Sequence, residues 1–99
     1  MPESPQHRQI SERIAKKYGA EYNSVKGPDI VTPDRVIEVG VDPDQVSAEM
    51  KQVARFQKAR YVAGPAPFVK AALEATAGTG IGVMDGQGNI KKRARSKGR

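Results

Sequence analysis

RVIEVGV, residues 35–41, restricts the fold more than any other segment. Its β-branched residues suit a pleated surface, and successive side chains must alternate between two faces. Ile37, Val39 and Val41 share one face; Val36, Glu38 and Gly40 share the other. Glu38 is the anomaly. A carboxylate inside such a strand is costly to bury unless it is paired or ligated.

The flanking sequence predicts the remaining elements. Ser4 suits an N-cap and Pro5 a first helical position, so a helix begins there and stops at Gly19. Ile10, Ile14 and Tyr18 form its apolar face; His7 falls on that face and Glu12 nearly opposite. Residues 20–25 read as a first strand. Lys26-Gly27 turns the chain, PDIV is a second strand, and TPD turns it into RVIEVGV. Asp42-Pro43-Asp44-Gln45 opens a second helix expected to reach Ala59 or Arg60. Val46, Met50, Val53 and Phe56 are its buried stripe, with Lys51, Arg55 and Lys58 opposite. RYVAG is a buried strand, PFVKAALEATA a third helix ended by Gly78, and GIGVMD and NIKKR a final hairpin across DGQGN. The order α-β-β-β-α-β-α-β-β implies an α/β fold, a mixed sheet flanked by helices.

Charge is unevenly placed. The chain of 99 residues carries +6, and KKRARSKGR at its end holds Lys91, Lys92, Arg93, Arg95, Lys97 and Arg99. Removing those six from 17 basic residues leaves 11, against 11 acidic ones. The expected division is therefore a neutral domain, 1–90, and a basic, disordered tail, 91–99. Such a tail is either a solvated end or a binder of polyanions through counterion release. With no cysteine there are no disulfides or thiolate metal sites. MPESPQHRQ has no apolar core of a signal peptide, and no run approaches the roughly 18–20 apolar residues of a membrane span. The expected location is the cytoplasm.

Several chemistries are excluded. Gly78, Gly80 and Gly82 precede a strand, so no dinucleotide cradle follows. DGQGN lacks the spacing of a calcium loop. One histidine and no cysteine make neither a nucleophilic triad nor a conventional zinc site. The scattered aromatics offer no stacking platform for bases. What remains is Asp29 and Glu38 on adjacent strands joined by a tight turn. If those strands pair, two carboxylates meet at one sheet end. That can suffice for Mg²⁺, which lowers the pKa of an attacking water. Asp29 reads equally as a turn residue, and Glu38 as a partner of Arg35 or Arg60.

Pro28-Asp29, the spacing to Glu38 inside a hydrophobic strand, the leading helix, the following helix, RYVAG and GIGVMDGQGNI together resemble the restriction-endonuclease-like, or PD-(D/E)xK, nuclease superfamily. The closest layout is that of the small archaeal Holliday-junction resolvases. The resemblance covers most of the chain and rests on element order more than on its short motif. It implies that Asp29 and Glu38 bind Mg²⁺ or Mn²⁺. It also implies a lysine two residues after the glutamate, where this chain has Gly40. Lys26 and Lys51 are the candidates to replace it. The exonuclease branch implies a metal-site role for His7, with Gln52 and Phe56 on the next helix. The resolvases imply one for Glu12.

Two readings follow. The first is a metal-dependent endonuclease acting on DNA rather than RNA, at branched structures, as a homodimer with the tail gripping phosphates. The second is an inactive nuclease-fold module that binds nucleic acid or protein.

Overall fold

The computed structural model describes residues 4–22 and 29–95. Helix α1 spans Pro5–Lys17. Ser4 Oγ accepts from the His7 backbone N–H at 3.1 Å, and Gly19 takes a left-handed φ of 68° just past the C-cap Tyr18. Of the strand expected over 20–25, Tyr22 makes one antiparallel bridge to Ile30. Residues 23–28 lie outside the described residues, Lys26 among them.

Five strands follow: β1 Ile30–Val31, β2 Arg35–Val39, β3 Ala59–Gly64, β4 Gly82–Asp85 and β5 Ile90–Lys92. They form one mixed sheet in chain order. β1–β2 and β4–β5 are antiparallel; β2–β3 and β3–β4 are parallel. The parallel pairs need crossovers, supplied by α2 (Val46–Ala54) and α3 (Ala66–Ala75). Both crossovers step the same way across the sheet, which puts both helices on one face. Val36, Val62 and Val83 of the sheet pack there with Val46, Val53, Phe68 and Ala72. The other face buries Ile37, Val39, Tyr61, Ala63 and Met84 beneath Ile10 and Ile14 of α1. Fully burying a side chain of this size contributes roughly 1.5–3 kcal/mol, so the two layers hold the sheet jointly.

Two expected boundaries move. The second helix stops at Ala54, after a 3-10 turn over Pro43–Gln45, and does not reach Ala59 or Arg60. Ala59 already pairs with Arg35 in the sheet, and Arg60 Nη1 donates to Ala54 O at 3.4 Å at the helix end. The domain also continues past residue 90. The Ala94 N–H donates to the Tyr61 hydroxyl at 3.2 Å, and the Arg95 N–H to Gly80 O at 2.9 Å. Gly82 permits this close passage: a Cβ there would lie 2.6 Å from Ala94 N and Lys92 O. Lys91 to Arg95 therefore belong to the folded domain; Lys97 and Arg99 lie outside the described residues.

Because β2, β3 and β4 are parallel, Val39, Gly64 and Asp85 end at one rim of the sheet. Such a rim, at the carboxyl ends of parallel strands, is where α/β proteins gather their functional side chains.

Candidate active site

The β1–β2 register pairs Ile30 with Ile37, which brings the preceding Asp29 to the level of Glu38. The two are joined. The Asp29 backbone N–H donates to Glu38 Oε1 at 3.0 Å. The Val39 N–H donates to Asp29 Oδ2 at 2.9 Å. Asp29 is 7% exposed, so its carboxylate depends on such donors. Among the described residues, Glu38 takes neither Arg35 nor Arg60, the partners that its strand position allowed. Arg35 pairs with Asp34 and stacks on Tyr18 and Tyr61, while Arg60 reaches Ala54 O.

His7 closes the cluster from α1. Its Nε2 lies 3.2 Å from Asp29 Oδ2, and its Nδ1 3.3 Å from the Tyr22 hydroxyl. One tautomer satisfies both contacts: Tyr22 O–H donates to Nδ1, and Nε2–H donates to Asp29. With both ring nitrogens engaged, His7 supports Asp29 in this arrangement and does not present itself as a metal ligand.

Glu49 was not foreseen. It comes from α2, and its carboxyl is hydrogen-bonded to that of Glu38. Burial first, then the Asp29 charge and the bond to Glu49, push the Glu38 carboxyl up to about 9. Burial also raises Glu49. Burial and mutual repulsion of the acids therefore favour a proton held between Glu38 and Glu49 at neutral pH. A signal for Glu49 existed in the sequence. Val46, Glu49, Met50 and Val53 are spaced i, i+3, i+4, i+7, so Glu49 shares the buried stripe.

The position of the expected lysine has a physical explanation. A Cβ on Gly40 would lie 2.9 Å from Phe68 Cζ, closer still to Phe68 Cε2, and 3.1 Å from Glu49 Cγ. A Cβ on Gly64 would lie 2.7 Å from Phe68 Cγ. The fully buried Phe68 ring thus fills the space where side chains at both strand ends would begin. No lysine fits at residue 40 while that ring stays.

The other candidates fall elsewhere. Glu12 is exposed and accepts from Arg8 Nε at 3.0 Å, facing away from the acids. Lys51 is exposed beside a shallow apolar groove with Ser47, Met50 and Ile81; two residues beyond Glu49, it points about 200° round the helix from it. It is thereby removed as a stand-in for the lysine. Gln52 is exposed one turn beyond Glu49. Lys92 is not a free phosphate contact: its Nζ donates to Thr76 O, Thr79 O and Ile81 O at 2.7, 3.3 and 2.8 Å. Lys91 is 3.8 Å from Asp85, and Arg93 and Arg95 are exposed.

Asp29, Glu38 and Glu49 offer hard oxygen donors, the chemistry Mg²⁺ and Mn²⁺ prefer. Among the described residues no three acidic or imidazole side chains already stand in a metal-holding arrangement. The acids hydrogen-bond to one another and to backbone N–H groups, and an ion would have to displace the shared proton. No helix among the described residues is long and apolar enough to cross a membrane. Comparison of the chain with protein-family models, with curated proteins and with solved structures gives no match.

Proposed function

We propose that the protein is a divalent-cation-dependent nuclease of the restriction-endonuclease-like type, hydrolysing phosphodiester bonds of DNA. The supporting observation is the meeting of Asp29, Glu38 and Glu49 at the carboxyl rim of a mixed sheet. Three acids converging on one rim, one of them holding a proton far above its ordinary range, cost stability and serve no visible packing purpose. A cation provides the purpose. Asp29 and Glu38 would hold Mg²⁺ or Mn²⁺, with Glu49 beside them. The bound ion supplies a polarised phosphate oxygen and an activated water. His7 and Tyr22 keep Asp29 oriented.

A mixed five-stranded sheet with helical crossovers is compatible with the layout that suggested a junction resolvase, and branched DNA is the substrate we favour. One domain of 99 residues offers little surface to grip a duplex or junction, so the working unit would be a homodimer, in the cytoplasm.

Phe68 over Gly40 favours a second reading. Without a cation beside the developing oxyanion, a major source of transition-state stabilisation in phosphoryl transfer is missing. A module that binds nucleic acid or a protein partner without cutting would keep the frame and lose that lysine.

Incubation with supercoiled plasmid, a four-way junction and single strands, with Mg²⁺ or Mn²⁺, separates the two. Cleavage that disappears in Asp29→Asn and in Glu38→Gln supports the nuclease. Binding without cleavage in the wild type supports the module. Cleavage unchanged in both variants overturns the assignment of the site.

A further inference from the structure

Helix α1 has two unlike flanks. One carries Arg8, Glu12 and Lys16 and continues to Glu21 and Tyr22, with mixed charge and an internal ion pair. The other carries Gln6, Gln9, Arg13 and Lys17, spaced three, four and four residues apart, with no acid among them. This second stripe faces the β4–β5 turn. Arg13 Nη1 donates to Gly86 O at 3.3 Å, and Lys17 Nζ to Asn89 Oδ1 at 3.0 Å. Between helix and turn runs a groove of about 320 Å³ whose lining includes Gln6, Gln9, Arg13, Pro65 and Gln87.

One end of the groove lies beside the acid cluster: Gln6 in its lining precedes His7, whose Nε2 is 3.2 Å from Asp29 Oδ2. The acid within the groove is answered locally. Asp85 Oδ1 accepts from the N–H groups of Gln87 and Asn89 at 2.9 and 3.0 Å, and Oδ2 faces Lys91 at 3.8 Å. That leaves the seam with a cationic end, Arg13 and Lys17 beside Gln87, and an amide end, Gln6 and Gln9, nearest the acids. From residue 6 to residue 17 the stripe is roughly 16 Å long, room for a few phosphates of an extended strand.

We propose that the seam between α1 and the β4–β5 turn is a polynucleotide-binding track. Arg13 and Lys17 take phosphates of one strand, and the glutamine amides hydrogen-bond the strand where it enters the acid cluster. The track rests on the nuclease reading for its ligand, but binding is measured apart from cleavage. Phosphate contacts position a strand and carry the salt dependence of binding.

The test uses the full chain, a short fluorescein-labelled single strand and EDTA to prevent cleavage. Anisotropy titrations at stepped salt give the slope of log affinity against log salt. The double variant Arg13→Gln with Lys17→Gln should lower the slope by about 1.4, two phosphates at ~0.7 each, and raise Kd several-fold. The control pair Lys51→Gln with Lys70→Gln removes the same charge from exposed sites on α2 and α3 and should leave the slope unchanged. Circular dichroism checks folding; Lys17→Gln alone, at an exposed site, should still lower the slope by about 0.7. Equal slopes for the two double variants and the wild type overturn the track. So does an equal loss in both pairs, or a wild type that binds no strand. Glu38→Gln should abolish cleavage and leave the slope unchanged. If cleavage survives in Glu38→Gln while the slope result holds, the nuclease reading falls and the track stands.

Discussion

The two ends of the sheet treat buried charge in opposite ways. At one end Lys92 crosses from β5 to the C-terminus of α3, and its ammonium meets three carbonyl oxygens. Thr76 caps the C-terminus of α3, where a cation suits the helix dipole, and Thr79 and Ile81 belong to the loop that follows. At the other end Asp29, Glu38 and Glu49 crowd together, and two of them must share a proton. One end is matched locally and needs nothing more. At the other, backbone N–H groups and His7 answer part of the charge, and Glu38 and Glu49 still face each other. A mismatch kept in a small domain, where a few kcal/mol decide folding, is the reason the proposed site is placed at this end.

The sharpest way to break this contrast is to remove the acids. Asp29→Asn and Glu38→Gln should each lower cleavage more than about 100-fold, the upper end of what losing even an outer-shell metal partner costs. A loss below tenfold in plasmid nicking would put the reacting ion elsewhere.

Stability should move the other way. Glu38 titrates near its ordinary 4.5 when unfolded and at about 9 when folded. Between those values the folded chain binds the extra proton, so stability falls as pH rises across that window. Asp34 and Asp85 are lowered and act oppositely, but only below their ordinary 3.8. Glu38→Gln keeps the shape and a donor for Glu49, and should flatten the fall in urea midpoints between pH 5 and 9. A wild-type midpoint that climbs over that range would refute the shared proton.

The packing that excludes the lysine gives a further handle. Gly40→Ala forces the Phe68 ring to shift and should cost about 1–3 kcal/mol. Combined with Phe68→Leu, its added cost should shrink, because the two sites touch. Strict additivity in denaturant melts would show that the ring does not guard position 40.

At the matched end, Lys92→Met should cost on the order of 1 kcal/mol, by leaving carbonyls without their donor. Smallest of all is the exposed Arg8–Glu12 pair. Its removal by Arg8→Ala should change stability by only about 0.3–0.5 kcal/mol, with cleavage unaltered, as measured by thermal melts and plasmid nicking.

Much of this could be read from residue types. The alternation in RVIEVGV, the Ser4-Pro5 cap and the prolines before α2 and α3 state their elements locally, and the described strands and helices follow that order. Asp29 and Glu38 were legible as a pair because a tight turn between strands fixes their register. What escaped depended on contacts between distant residues. The end of α2 is set by the pairing of Ala59 with Arg35, which no helical periodicity reports. Lys92 looked like one more cation in a basic run until three carbonyls proved to surround it. Glu49 went unremarked, although its spacing from Val46 and Val53 placed it on the apolar stripe. Gly40 read as a missing lysine; Phe68, 28 residues on, makes it a glycine required by packing.

Whether the acid rim takes a divalent ion is measured most directly by electron paramagnetic resonance of Mn²⁺ at pH 8, where the free aqua ion gives the signal. Adding the wild-type chain should remove the signal of about one ion per chain, and adding Glu38→Gln or Asp29→Asn should leave most of it. An undiminished signal with the wild type, or equal quenching by all three proteins, would contradict a cation site built on Asp29 and Glu38.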